Sequence, residues 1–496
     1  MSFDVITLGD LLGEKGYIRG PFGSALKRSE LKEEGIPVYE QQHAIRGDRE
    51  FRFFIDEEKY KQLKRFTVKS NDLIISCSGT VGRISIIDED DQKGIISQAL
   101  LILRPDTEKI STQFLYYFLT SKRGFNELIN ASQGAVQLNI APRAVVEKIP
   151  VPTPSPEVQQ RIVYVLRSLD DKIALNRQIN QTLESMAQTI FKSWFVDFDP
   201  VKAKIGAIEA GEDVKGVTRA AMRAISGKTD DELDQMQAEQ LDDYAQLKNT
   251  AELFPAAMQD SELGEVPEGW EVGCVGDATE KIFSGGTPNT KNEAFWNGKL
   301  NWFSSGQTRN MVIVDTEKRI TEKGAKESST KLAIYGDILI ASAGQGHTRG
   351  QTSFCATDTF INQSVVSIRA SDIRLSPWLF FNLSGSYEKM RSISDSHSSR
   401  GSLTTKLLSS LPTVIPSESL CIEYGKIAER SLILIAKNMR QSKVLSQLRD
   451  TLLPKLLSGE LSVDAIEMAR GKNERINPLR APPPKADFEQ DSHQYK

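Results

Sequence analysis

Cysteine is scarce in this 496-residue chain: four residues, Cys77, Cys274, Cys355 and Cys421, stand singly and far apart. That spacing argues against a disulfide framework and against a Cys-x-x-Cys metal site, and it suits a reducing cytosol. Histidine is as rare. His43, His347, His397 and His493 have no ligand-like spacing to cysteine or acid, so no metal centre is expected. No apolar run approaches the roughly 18 residues of a membrane span, and the start MSFDVITLGD lacks the basic and apolar segments of a signal peptide. A soluble, cytoplasmic protein with no membrane partner is expected.

Bulk positive charge is missing too. The formal net charge is −4 at pH 7, so any nucleic-acid site must be a local patch. The stretch Gly344 to Gly350 is glycine-rich but has no lysine to reach a phosphate, which speaks against an ATP site. Adenine amino-methyltransferases carry an Asn/Asp-Pro-Pro-aromatic loop that accepts the amine proton. Here consecutive prolines occur only in Ala481-Pro482-Pro483-Pro484, so the chain is not expected to methylate by itself. In Pro105-Asp106-Thr107-Glu108-Lys109 the carboxylates sit nearly adjacent at a strand end, as in a turn, rather than at the separated positions a nuclease metal needs. No catalytic residue, metal ligand or cofactor is assigned to this chain.

What the sequence does have is a repeat of half its length. Phe66 to Arg83 (FTVKSNDLIISCSGTVGR) answers Leu332 to Arg349 (LAIYGDILIASAGQGHTR), with Asp72 and Asp337 displaced by 265 residues. Gln98 answers Gln363 at the same offset, and the proline-rich run from Ile149 answers the run from Leu411 at an offset of 262. Such a period exceeds that of solenoids and reads as duplication of a whole domain with the helix that follows it.

Short β-type runs at Asp72 to Ser76, Arg83 to Ile87 and Ile95 to Leu103, separated by glycine-rich turns, predict a mainly β unit. A small helix is expected after Ser111-Thr112-Gln113, with its counterpart at Pro377 to Phe381. The fold class is therefore α+β. The expected divisions are globular unit one at 1–154, a helix at 155–200, a partly helical linker at 201–262, unit two at 263–416, a second helix at 417–462 and a mobile tail at 463–496. The acidic run Asp230-Asp231-Glu232-Leu233-Asp234 reads as a solvated face of the linker.

After the first proline-rich run, Ile162, Leu166, Leu169 and Ile173, then Leu183, Ala187, Ile190 and Trp194, recur in steps of four and three, with Asn176 and Asn180 continuing the series between them. That is a coiled-coil seam in need of a partner helix. Ile427, Leu434, Leu445, Leu448, Leu452 and Leu456 offer one, with Leu183, Ile190 and Trp194 answering Leu445, Leu452 and Leu456. Asn176 answers Asn438, so each stripe carries an amide, which either fixes register within the seam or sits solvated on a helix flank.

The remaining chemistry lies in polar loops. Unit one offers Arg19, Ser24, Gln41, Gln42, His43, Arg46, Ser78, Thr80, Arg83, Gln133, Gln137 and Asn139. Unit two offers Thr287, Asn289, Gln307, Thr308, Arg309, Gln345, His347, Thr348, Arg349, Ser398 and Arg400 at corresponding places. Arginine is bidentate to guanine, and Gln or Asn to adenine, so these types suit the reading of DNA bases. Any one of them also serves as an ordinary hydrogen-bonded turn. From Glu14 to Ser70 the count is 13 Lys/Arg against 10 Asp/Glu, a modestly basic stretch in an acidic chain.

Leu169 to Glu184 (LDDKIALNRQINQTLE), running into Ile190 to Phe198 (IFKSWFVDF), resembles the central conserved region of specificity subunits of type I restriction-modification enzymes. Leu263 to Trp270, Ile149 to Pro156 and Leu452 to Gly459 are similar to other recurrent segments of that family, so the resemblance covers most of the chain. It implies two target recognition domains that each read half of a split double-stranded DNA sequence, spaced by paired helices. It also implies two modification subunits that bring S-adenosylmethionine, and restriction subunits that bring nuclease and translocase with ATP and Mg. A helix of 35 to 40 residues spans roughly 50 to 60 Å, enough for a ruler between half-sites. A coiled-coil adaptor with two protein-binding β modules is the alternative, and salt-dependent binding to duplex DNA separates the two readings.

Overall fold

The computed structural model describes residues 3–129, 140–344, 347–397 and 402–464. Two compact units emerge, one of residues 1–172 with 444–496 and the other of 173–443.

The first unit is built around an antiparallel sheet in the order Leu12–Arg19, Leu100–Pro105, Leu73–Ser76, Ile84–Ile86. Its central strands are apolar on both faces because both faces are covered. Side chains alternate across a strand, so Leu73 and Ile75 enter one core with Phe114 and Phe118 of the helix Thr112–Thr120, while Ile74 and Ile102 enter another with Tyr39, Tyr60 and Phe66. Ser111 caps that helix by accepting from the Phe114 N–H at 3.4 Å. A second sheet orders Phe54–Ile55, Ile36–Tyr39 and Ile95–Ile96. Asp4–Thr7 pairs with Pro150–Thr153, which ties the start of the unit to its end. The expected run from Ile95 to Leu103 is two strands, broken by the turn at Gln98 and Ala99.

The second unit repeats this plan. Thr279–Ser284, Val365–Ala370, Ile338–Ala341 and Thr352–Cys355 reproduce the main sheet and add Val312–Ile313 at its edge. Lys318–Ile320, Trp296–Phe303 and Thr359–Ile361 reproduce the second sheet, joined by Lys331–Ala333, and Glu271–Cys274 pairs with Pro412–Ile415. The side-chain alternation recurs: Ile338 and Ile340 join the large core around Trp378 and Phe380, and Leu339 joins the small one with Phe303 and Ile361.

The duplication extends to a buried ion pair that the sequence reading missed. Asp72 accepts from Arg104 Nε and Nη2, both at 2.7 Å, and Asp337 accepts from Arg369 at 2.8 and 2.9 Å, again 265 residues on. Each carboxylate also accepts a backbone N–H three residues before it, Lys69 at 2.7 Å and Ile334 at 3.1 Å. Burial pushes the Asp72 carboxyl above its ordinary range, and the guanidinium of Arg104 pulls the other way.

Two long helices, Pro156–Phe195 and Glu418–Ser458, each run through both units. Within the second unit they are antiparallel partners, since Asn176 meets Gln441 and Ser442, Asn180 meets Asn438, and the Tyr424 hydroxyl donates to the Ala187 carbonyl. Asn176 is fully buried and Asn438 nearly so, so the amides form a polar layer of the seam and are not solvated. Ile173 and Trp194 are buried, and Leu183 and Ile190 are partly so. Within the first unit Leu456 is buried, Leu445 and Leu452 are half-buried, and Arg449 bonds Asp170 at 2.7 Å.

The stripe expected on the second helix needs correction. Leu434 and Leu448 are exposed, and Leu432, Ile435, Ala436, Leu453 and Leu457 are buried instead. This helix packs against a globular core as well as against its partner, so its apolar face is broader and rotated from a two-stranded seam.

Residues 199–252 are more ordered than a linker. Four helices follow one another, Asp199–Glu209, Val214–Ser226, Asp230–Glu239 and Leu241–Glu252, and the last three share a small core of Ala221, Met222, Leu233, Tyr244 and Ala251. The acidic run starts the third of these helices, where Thr229 and Glu232 form a capping box, Asp230 pairs with Arg219 and Arg223, and Leu233 points inward. Only part of that run is a solvated face.

Candidate nucleic-acid interface

In the first unit the loop after strand Leu73–Ser76 exposes Ser78, Thr80 and Arg83. The Ser76 hydroxyl holds its base, donating to the Thr80 carbonyl at 2.6 Å and accepting from the Arg83 N–H at 2.9 Å. Gln41, first in the helix Gln41–Arg46, donates its side-chain amide to the Ser78 carbonyl, which brings two of the predicted loops together. Arg46 ends that helix exposed, and Gln42 donates to the Glu50 carbonyl at 3.3 Å. Beside Arg83 lies a cleft of about 290 Å³ walled by Tyr116, Tyr117, Asp170 and Arg449. Asp170 accepts there from the Tyr117 hydroxyl at 2.8 Å, and burial with this carboxylate raises the tyrosine's pKa.

His43 departs from the expectation of a base-reading side chain. It is fully buried: Nδ1 accepts the Glu40 N–H at 2.7 Å and Nε2 lies 2.9 Å from the Glu50 carbonyl. With Nδ1 accepting, the ring proton is on Nε2 and both nitrogens serve the fold. Its ring packs between Tyr39 and Phe51. Arg19 ends the strand Leu12–Arg19, half-buried over the Phe22 ring. Ser24 lies in the short helix Gly23–Ala25.

In the second unit Arg309 and His347 are exposed. Thr287 donates to the Gln363 side chain, and Asn289 is exposed. Gln307 accepts the Glu317 N–H at 3.0 Å. Thr308 is buried, its hydroxyl donating to the Ser305 carbonyl at 2.7 Å, so it is part of the turn rather than of a reading surface. Thr348 is half-buried, and Arg349, unlike its counterpart Arg83, is ion-paired to Asp395. Gln133, Gln137, Asn139, Gln345, Ser398 and Arg400 fall outside the described residues.

Among the described residues no cluster of His, Cys, Asp or Glu could hold a metal, and no helix is long and apolar enough to cross a membrane. Cys77, Cys274, Cys355 and Cys421 are all free thiols.

Two copies of one α+β unit, each presenting polar loops from the ends of matching strands, define a protein with two related recognition faces. A family model described as the type I restriction modification DNA specificity domain matches residues 5–185 and 267–419. The chain is 31% identical over 390 residues to the type I restriction enzyme HindI specificity subunit of Haemophilus influenzae, covering 77% of this chain and 84% of that protein. It is 23% identical over 429 residues to the MjaIX specificity subunit of Methanocaldococcus jannaschii, covering 86% and 85%. Among solved structures, the S subunit of a type I restriction-modification system from M. genitalium shares the fold at a TM-score of 0.54 and 15% identity, over 92% of this chain and 96% of that one. The chain belongs to the family of type I restriction-modification specificity subunits. The four-helix segment 199–252 falls in the gap between the two matched stretches.

Proposed function

We propose that this chain is the noncatalytic DNA-reading subunit of a cytoplasmic type I restriction-modification complex, with residues 1–154 and 263–416 each reading one half of a bipartite, asymmetric target. The observation that carries this reading is the duplication itself: sheets, register and buried ion pair are kept, while the loop residues differ from copy to copy. A conserved frame with changed loops is what two readers of two different sequences require. Exposed Arg46, Ser78, Thr80 and Arg83 in the first unit and Asn289, Arg309 and His347 in the second are the candidate contacts. The long helices set the gap between half-sites and dock two modification subunits. Those partners supply S-adenosylmethionine and adenine methyl transfer, and restriction subunits supply ATP, Mg and DNA cleavage. Methylation mapping of a host that carries the chain with its modification partner tests this. Two short specified blocks around an unspecified gap are expected, and a single continuous site would contradict the reading.

A further inference from the structure

The first unit carries a wide groove of about 1020 Å³ whose rim holds Lys15, Arg19, Lys64, Arg65, Lys69 and Lys93. Among the described residues none of these six forms an ion pair. Three are steered by rings instead: the Arg65 guanidinium lies 4.4 Å from the Phe66 centroid, Lys93 Nζ 4.9 Å from that of Tyr60, and Arg19 6.0 Å from that of Phe22. A ring orients a cation without neutralising it, so the charge stays available to an anion.

The second unit has the same backbone frame without this charge. Strand register makes Arg19, opposite Leu101, equivalent to Ser284, opposite Val366. The bridge of Thr67 with Ile95 is equivalent to that of Leu332 with Phe360. At that common offset of 265 Arg19, Lys64, Arg65, Lys69 and Lys93 become Ser284, Ser329, Thr330, Ile334 and Asp358, whereas Lys15 lies in a register bulge between Leu12 and Tyr17 and has no single counterpart. None of the five is basic and one is an acid, so the duplicated frame does not account for these positive charges.

We propose that this groove grips the phosphodiester backbone of duplex DNA without regard to sequence, and that the first unit therefore carries most of the salt-sensitive share of binding. This rests on the DNA-reading role above. Phosphate contacts position a protein on DNA and carry no sequence information directly, whereas base contacts specify. Each phosphate neutralised contributes about −0.9 to the slope of log affinity against log salt.

The test uses the full chain assembled with its modification partner, carrying Lys15→Gln, Lys64→Gln, Lys69→Gln and Lys93→Gln together, and a second version with arginine at the same four positions. Binding is measured across a salt series to the mapped target duplex and to a random duplex. The glutamine variant is expected to lose affinity equally for both duplexes and to flatten the slope by about 3 to 4. The arginine variant should keep the wild-type slope, and the methylated sequence should not change in either. An unchanged slope in the glutamine variant overturns the groove while leaving the DNA-reading role standing. A loss confined to the target duplex overturns it too, because the lysines would then be reading bases. If the unsubstituted complex shows no salt-dependent DNA binding, the functional reading itself fails.

Discussion

Replacing Arg104 with leucine strands a carboxylate in the first unit. Asp72 is fully buried and is left with one donor, the Lys69 N–H, once both guanidinium bonds are gone. Breaking a buried pair by removing one partner costs about 3–5 kcal/mol, and because Arg104 is partly exposed the lower end, about 3 kcal/mol, is expected. Arg369→Leu should cost about 1 kcal/mol less, because Asp337 keeps both the Ile334 N–H and the Ser367 hydroxyl at 3.1 Å. Burial already pushes the Asp72 carboxyl up, and the variant loses the cation that pulled it down. With its folded pKa above its unfolded one, the carboxylate destabilises the variant fully at pH above the folded value, and the deficit shrinks as pH falls and the group takes up a proton. Asp72→Asn in the Arg104→Leu background should recover part of the loss at neutral pH. Urea unfolding measures this, and the two units are distinguishable because all five tryptophans, Trp194, Trp270, Trp296, Trp302 and Trp378, lie in the second. Tryptophan fluorescence should report Arg369→Leu, and far-UV circular dichroism should report both variants. An Arg104→Leu deficit below about 1 kcal/mol at pH 7, or one that grows on acidification, would show that Asp72 does not depend on this ion pair.

Three further outcomes follow from single side chains. Cys274 is half-exposed, while burial pushes the Cys77 thiol up to about 11 and raises those of Cys355 and Cys421, so a chromogenic disulfide reagent near pH 8 should titrate one thiol quickly and the other three only after denaturation. Asn176→Leu should hold or raise the melting temperature, because it removes a buried amide whose oxygen has no partner, whereas Asn176→Asp should lose about 1–3 kcal/mol by facing the Asn438 and Gln441 oxygens with a carboxylate. Arg83→Ala should weaken target binding by about 1–3 kcal/mol and relax one position if it reads a base, while Arg349→Ala should act on the stability of its loop through the lost Asp395 pair; salt-resolved binding and thermal melts of both variants separate the two roles.

The architecture was legible because duplication and periodicity are linear properties of a chain. The match of Asp72 with Asp337 is in the sequence, and so are the four-three steps that end at Trp194. The arginines that answer those carboxylates were not legible. Arg104 and Arg369 follow their acids by 32 residues, a separation set by strand pairing. The same limit explains His43: a polar residue in a polar run looks like a loop contact until the carbonyl of Glu50 and the ring of Phe51 are seen around it. The second helix misled for another reason, since a stripe judged against one partner helix misses residues such as Leu432 and Ile435 that face a globular core. The basic groove was visible only as a slight excess of Lys/Arg between Glu14 and Ser70, because folding gathers Lys64 and Lys69 beside Lys15 and Lys93 and leaves every acid of that stretch but Glu14 elsewhere.

On the proposed function, each unit reads its own half of one target. Exchanging residues 1–154 for the corresponding unit of another specificity subunit, and mapping methylated adenines in a host that carries the hybrid with the modification partner, tests it most directly. One half of the methylated sequence should change while the other half is kept. A hybrid that assembles and methylates but alters both halves, or neither, would contradict it.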